Sequence, residues 1–380
     1  MTPRPTPQDL TLPPAARPGD SLAAIDTPAL LLKLDAFERN LDRMQAAADA
    51  AGVALRPHAK AHKCPAIALA QIARGAVGIC CQKLSEALPF AAAGVADIHL
   101  SNEVLGAAKL NLLARLALRV RLSVCVDAAE PLAALAAATA AAGSAVRVFI
   151  EIDVGQGRCG VADAPAVLRL LEALQRHPQL SFGGLQAYHG GVQHLRGHAE
   201  RRAAAQQAAA RTAGIVAALS QAGVACPVVT GGGSGSVEFD LAGGVYTEVQ
   251  PGSYVFMDGD YGRNEYAGAL RFEHALFLAG TVMSRGADRA ILDAGLKSLA
   301  VDSGPPELWD APGLAYTAAN DEHGIVRPAA PGAALPALGS QLLLVPGHCD
   351  PTLNLHDELI AIRDGQVEAL WPIAARGLSR

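Results

Sequence analysis

No CxxC pair occurs among the seven scattered cysteines of this 380-residue chain (Cys64, Cys80, Cys81, Cys125, Cys159, Cys226 and Cys349). Their odd number and irregular spacing exclude a disulfide framework and a closed zinc cage, and most read as small buried residues. An excess of charge of one sign is also missing. The 31 Lys and Arg against 36 Asp and Glu leave a net charge of -5, which makes no electrostatic case for nucleic acid or for an anionic membrane surface. The apolar stretches are short or alanine-rich, and the proline-rich start Met1-Thr2-Pro3-Arg4-Pro5-Thr6-Pro7 lacks the apolar core of a secretion signal. The expectation is a soluble, cytoplasmic protein with no membrane partner. No internal repeat or long low-complexity segment interrupts the chain, although Pro328–Pro336 reads as an exposed loop.

What the chain does have is apolar bulk. With 51% hydrophobic and 18% charged residues it can bury a large core, and its length favours about two domains. Short runs suited to buried parallel strands recur between alanine-rich segments of helical periodicity: Ala54–His58, Val77–Cys81, Asp97–Leu100, Leu122–Val126, Val146–Asp153, Leu180–Tyr188, Val228–Thr230 and Thr247–Gln250. Helices are expected between them, among them Ser85–Ala93, Pro165–Arg176 and Glu200–Gln221. Eight strand-helix units predict an α/β fold, a closed (β/α)8 TIM-type barrel over residues 35–268. After about Leu270 the pattern turns β-rich, with strands expected at Ala275–Ser284, Arg289–Asp293, Gln341–Val345, Leu359–Arg363 and Val367–Trp371, and a hairpin at Asp364-Gly365. The strand-like run Ala29–Leu34, ahead of a long helix Ala36–Ala51, is assigned to the same second, mostly β domain, formed by residues 1–34 and 269–380.

Catalytic groups of such barrels sit where the strands end at the C-terminal face. The segment His58-Ala59-Lys60-Ala61-His62 sets a lysine between two histidines, and on an extended strand the three share a face. A lysine among polar rings at a buried strand end can lose its proton and attack a carbonyl, as a Schiff-base lysine must; a basic surface strand end has the same spacing. After the seventh strand, Thr230-Gly231-Gly232-Gly233-Ser234-Gly235 can bring backbone N–H groups and hydroxyls to an anion. A flexible glycine turn is the other reading, and the position opposite Lys60 favours phosphate. The fifth strand runs into Glu151–Gly160, where Arg158 is either a holder of a phenolate or carboxylate or a rim ion pair. The sixth puts Gln186 and Tyr188 on one face, Tyr188 suited to lie against a flat ring, with His189 and His194 following as proton carriers or structural residues. A remote cluster, Gly347-His348-Cys349-Asp350-Pro351, presents His348 and Asp350 on one side if extended. One imidazole and one carboxylate are too few for a closed structural site, so any metal there is open to water or substrate, and the thiol-free donors favour Mn, Mg or Co.

Taken together, Arg56–Lys63, Ile79–Ala87, Asp153–Gly160, Gly231–Phe239 and Gly347–Thr352 resemble the fold-type III pyridoxal-phosphate enzymes, and within them the metal-dependent D-threonine aldolases. The likeness runs from Asp26–Leu30 to Ile373–Gly377. It implies an alanine-racemase-like barrel with a β domain, a homodimer with shared active sites, and retro-aldol cleavage of D-threonine and other D-3-hydroxy-amino acids to glycine and an aldehyde. It marks Lys60 as the Schiff-base lysine. The cofactor-binding set is then Lys60, Arg158, Gln186, Tyr188, Thr230, Gly232, Gly233, Ser234 and Tyr254; His348 and Asp350 hold the divalent metal. Water on the metal, His62 or His194 takes the hydroxyl proton. The nearest rival is a 3-hydroxy-D-aspartate aldolase, from which Ala59, Ala61 and Tyr188-His189-Gly190 point away. A D-serine dehydratase would carry cysteine where Asp350 stands, an alanine racemase needs a second base and no metal pair, and a non-catalytic pyridoxal-phosphate carrier lacks a substantial β domain.

Overall fold

A computed structural model describes residues 12–380 of the chain; the proline-rich start and the first eleven residues assigned to the β domain lie outside the described residues. All eight expected barrel strands form, at Ala54–Leu55, Ile79–Cys81, Asp97–Glu103, Arg121–Val126, Val146–Glu151, Leu180–Ala187, Val229–Gly231 and Glu248–Val249. They are parallel and neighbour one another in chain order, with the first beside the eighth. The circle closes between the first and second, where Val77 N–H donates to Leu55 O (2.9 Å), Cys80 N–H donates to Pro57 O (2.8 Å), and His58 and Cys80 form a parallel bridge. Helices follow where expected, at Leu84–Ala92, Ala164–Leu174 and His198–Gln221.

Alternation along each strand separates two environments. In the third and fourth strands Ile98, Leu100, Leu122 and Val124 join the large apolar core, while His99 and Ser123, on the opposite face, bond to one another (2.9 Å). The barrel interior is therefore polar and must satisfy itself. Arg56 lies between Asp97 (2.8 Å) and Glu248 (2.9 Å). The Thr230 hydroxyl donates to Glu248 (2.8 Å), and the Gln250 amide donates to Thr230 (2.7 Å) and Gln186 (2.8 Å).

The run Ala29–Lys33 does belong to the β domain, where it lies inside a nine-stranded sheet, antiparallel to Leu276–Arg285 and parallel to Glu358–Arg363. Its period-two pattern serves two cores at once: Leu30 and Leu32 face the barrel-side core, Leu31 the other. Each is at most 1% exposed, worth roughly 2 kcal/mol per side chain. Asp364 (φ 50°) and Gly365 (φ 76°) make the left-handed two-residue turn between Glu358–Arg363 and Gln366–Pro372. Three strands of this domain were not expected from the sequence: Glu307–Trp309, Leu314–Ala319 and Gly324–Pro328.

Arg56 is shared by two buried carboxylates, and its removal leaves Glu248 without a cation among the described residues, while Asp97 keeps only the more distant Arg147 and Arg121 (3.4 Å each). Arg56→Leu is expected to lower stability by about 3–5 kcal/mol, measured by urea unfolding. The loss should shrink in a Glu248→Gln background, and an equal loss in both would contradict the shared role.

Candidate active site

The strand ends of the barrel open into a pocket. Every strand except the fourth sends a lining residue to it: His58 and Lys60 after the first, Gln82 after the second, Ser101 within the third, Arg158 after the fifth, Gln186 within and Tyr188 just after the sixth, Gly233 and Ser234 after the seventh, and Gln250, Gly252, Ser253 and Tyr261 after the eighth. The alternation expected for Gln186 and Tyr188 therefore holds.

At Lys60 the expected extended face does not form. The ladder ends, and Ala59–Ala61 is one turn of 3-10 helix, so His58 and Lys60 both line the pocket while His62 parts from them. Lys60 Nζ reaches Asp350 Oδ2 at 3.3 Å, and its side chain remains 42% exposed. The Asp350 carboxylate outweighs desolvation and holds the ammonium above its ordinary range. His58 lines the pocket with Nε2 2.9 Å from Ser101 Oγ; burial, then the Lys60 charge, keeps it neutral far below its usual pKa. His62 turns away. It is fully buried, lies edge-on to Phe90 (6.0 Å between ring centroids), and its Nδ1 accepts from Cys64 N–H (3.1 Å). That bond leaves the ring proton on Nε2, and the side chain does not line the pocket, so the structure corrects His62 from proton carrier to packed core residue.

His348 and Asp350 come from the β domain. The extended reading fails here too, since His348 caps a short helix, Cys349–Leu353, with Asp350 in its first turn. Asp350 still reaches the pocket-lining Lys60 because residues 258–260 are bonded to residues 346–349: Gly259 N–H donates to Pro346 O (2.8 Å), Asp260 N–H to Gly347 O (3.0 Å), and the buried Asp258 carboxylate accepts from Cys349 N–H (2.8 Å). Burial alone would raise the Asp350 pKa, but Lys60 and then His348 overcome it and hold the carboxyl below its usual value. Against its own desolvation, His348 is raised by Asp350 and by Asp302.

Arg158 extends over the Tyr188 ring, 5.4 Å from guanidinium carbon to ring centroid, and pairs with Glu151 Oε1 at 3.3 Å. Behind it stands a group the sequence did not single out. Donor atoms of Glu103, Glu151 and Cys159 lie within 4.8 Å of one another, and burial, then Glu103, pushes the Glu151 carboxyl up to about 7.

The remaining expected residues divide. Gly233 and Ser234 line the pocket. Thr230 does not, because its hydroxyl is bonded inside the barrel to Glu248, and Gly232 lies behind the loop against Asp240. Tyr254 is also corrected: its hydroxyl accepts from Gln71 (3.0 Å), its ring packs on Phe272, and only its backbone N–H reaches the site, donating to Ser234 Oγ (2.9 Å). His194 stands one ring outside the pocket, half exposed, with Nδ1 2.5 Å from Asp260 Oδ2 and its ring 6.0 Å from that of Tyr261.

These residues fit a phosphorylated aldehyde cofactor. An amine lies on one side. On the other, the backbone N–H groups of Ser234, Gly252 and Ser253 donate to no protein acceptor among the described residues, as a bound phosphate requires. They fit a divalent metal as well, since His348 is bonded through Nδ1 alone (2.7 Å to Asp302) and Asp350 is an ionised oxygen donor beside it. Ser101, Gln250, Gly252, Ser253 and Tyr261 lay in no segment singled out for chemistry from the sequence, and Gln82 only in the Ile79–Ala87 likeness; Ser101 sits within the third strand and Tyr261 in the short helix Gly259–Gly262.

Residues 32–260 match the family of the alanine racemase N-terminal domain, and residues 275–362 the putative serine dehydratase domain. The chain is 59% identical to a D-threonine aldolase of Arthrobacter sp, over 98% of each chain. It is 42% identical to a 3-hydroxy-D-aspartate aldolase of Paracoccus denitrificans (strain Pd 1222), over 95% of each. Among solved structures, D-threonine aldolase from Filomicrobium marinum superposes with a TM-score of 0.94 at 49% identity, covering 96% of this chain and 100% of that one.

The buried rings set an acid limit. His62 and His99 are each lowered by burial from 6.5 to about 3, so between those values the unfolded chain binds protons that the folded chain refuses. Stability is full above pH 6.5 and falls as the pH drops toward 3, by about 1.4 kcal/mol per pH unit for each ring. Urea unfolding at pH 7 and pH 5 should show a smaller acid loss in His62→Gln than in the parent, and equal losses would contradict the buried neutral ring.

Proposed function

The chain belongs to the alanine racemase-like barrel family, in the branch of the D-threonine aldolases, and from that premise we propose that it cleaves D-threonine, and other D-3-hydroxy-amino acids, to glycine and an aldehyde with pyridoxal phosphate and a divalent metal. The observation that carries the reading is the contact of Lys60 with Asp350, which sets an amine and a metal-type carboxylate 3.3 Å apart on one pocket wall.

Pyridoxal phosphate, when bound, supplies a reactive aldehyde and an electron-withdrawing ring, and the metal supplies a Lewis acid that makes a β-hydroxyl acidic. Lys60 is the residue that holds the cofactor aldehyde. Arg158, stacked on Tyr188 and fixed by Glu151, orients the ring. The N–H groups of Ser234, Gly252 and Ser253, with the Ser234 hydroxyl, hold the phosphate, and glycine at 233 lets the loop lie against Gln193, whose side chain a Cβ there would meet at 2.6 Å. His348 and Asp350 hold the metal. His194 takes the hydroxyl proton, its Nδ1 fixed by Asp260 and its Nε2 free to accept.

D-Threonine is favoured over 3-hydroxy-D-aspartate by the balance of charge. The pocket-lining cations among the described residues are Lys60 and Arg158, already paired with Asp350 and Glu151, so neither is spare for a second substrate carboxylate. The reading includes a homodimer with shared active sites, as the family resemblance implies, the cytoplasmic location expected from the apolar pattern of the sequence, and Mn, Mg or Co as the metal, which is supported by a nitrogen-oxygen donor pair. No helix among the described residues is long and apolar enough to cross a membrane.

Incubation of the purified protein with pyridoxal phosphate, Mn and D-threonine should yield glycine and acetaldehyde. Polarising an alcohol by a divalent ion is worth several kcal/mol, and each 1.4 kcal/mol is tenfold in rate, so a chelator should slow the reaction by at least about 100-fold. A rate indifferent to chelator would remove the role of His348 and Asp350, and 2-oxobutanoate in place of acetaldehyde would identify a dehydratase.

A further inference from the structure

We infer that Asp302 is a positioning residue for the metal: it holds the His348 ring by one nitrogen so that the other is the atom offered to the cation. The inference rests on the reading that His348 and Asp350 bind the metal, and deepens it.

Asp302 Oδ2 lies 2.7 Å from His348 Nδ1, and Ser303 Oγ approaches the same nitrogen at 3.4 Å. A neutral imidazole carries one proton, and the nitrogen that faces a carboxylate at this distance must be the one that carries it. The lone pair is then fixed on Nε2, which meets no protein donor or acceptor among the described residues. A carboxylate behind a ligating histidine fixes the tautomer, aims the ring and makes the free nitrogen a better donor.

The loop that carries Asp302 is itself locked to the histidine segment from two sides. Thr352 Oγ1 donates to the His348 carbonyl (2.7 Å) and accepts from Ala300 N–H (3.1 Å), so one hydroxyl ties the backbone before Asp302 to that of His348. On the other side Gly347 lies so close to the loop that a Cβ there would stand 2.1 Å from the Gly304 carbonyl oxygen. Glycine at position 347 is therefore what permits the loop to lie flat and Asp302 to reach the ring. The Asp302 side chain is 56% exposed, so its replacement leaves the core untouched and the effect can be read in a folded protein.

The test uses the holoenzyme freed of metal by chelator and titrated calorimetrically with Mn²⁺. The parent should bind at one site. Asp302→Ala should weaken that binding by about 10- to 100-fold, with the bound-cofactor absorbance and the melting temperature of the metal-free enzyme unchanged, and Asp302→Glu should recover part of the loss. Gly347→Ala, which pushes the loop away while leaving Asp302 in the chain, should weaken binding in the same direction. Equal affinity in the parent and Asp302→Ala overturns the inference and leaves the metal site standing. A loss that glutamate does not restore and that comes with a lower melting temperature assigns Asp302 to structure alone and also overturns it. Absence of Mn²⁺ binding by the parent overturns the reading on which it rests.

Discussion

The 3.3 Å ion pair between Lys60 and Asp350 depends on two parts of the chain being brought to one point. Lys60 comes from the barrel and Asp350 from the β domain nearly three hundred residues later. What holds them together is backbone: the segment after the eighth strand bonds to residues 346–349, and the buried Asp258 accepts the Cys349 N–H. A carboxylate carried on a backbone fixed in this way is kept within reach of its partner. Anchoring is what separates this pair from the flexible surface ion pairs that contribute little.

The same economy of position runs through the pocket. The barrel interior beneath it is a closed polar network from Asp97 through Arg56, Glu248, Thr230 and Gln250 to Gln186. Gln186 and Gln250 belong both to this network and to the pocket lining, so the floor of the site is held by bonds that run down the barrel. Arg158 is likewise fixed from behind by Glu151 and from the side by Tyr188. Rigid support of this kind is what precise placement of reacting groups requires.

The barrel was legible in the sequence because a parallel strand covered by helices reads as a short apolar run bounded by turns, as at Leu122–Val126. The strands Glu307–Trp309, Leu314–Ala319 and Gly324–Pro328 were not, since they are short, half-exposed and rich in alanine, glycine or charge, and pairing with distant neighbours supplies the order that local sequence does not. Period-two reasoning held at Gln186 and Tyr188, at the end of a strand whose last residue is Ala187. It failed at His58-Ala59-Lys60-Ala61-His62 and at His348-Cys349-Asp350, where the backbone leaves the extended state. His62 and Thr230 were drawn to the site by their place in a motif and Tyr254 by the family resemblance, yet each side chain is bonded or packed elsewhere. Asp302, an isolated loop carboxylate, had no motif to announce it.

The central claim is that Lys60, and not its neighbour Lys63, is the amine that carries the cofactor. Lys63 lies on a left-handed turn residue, its amine held between Glu86 (3.3 Å) and Asn354 (3.1 Å) and its side chain only 10% exposed. Reduction of the pyridoxal-phosphate-loaded enzyme with borohydride, followed by proteolysis and mass spectrometry, reads the attachment point directly. The structure predicts the pyridoxyl phosphate on the peptide carrying Lys60, at Lys60; a label on Lys63, or no covalent label at all, would contradict it.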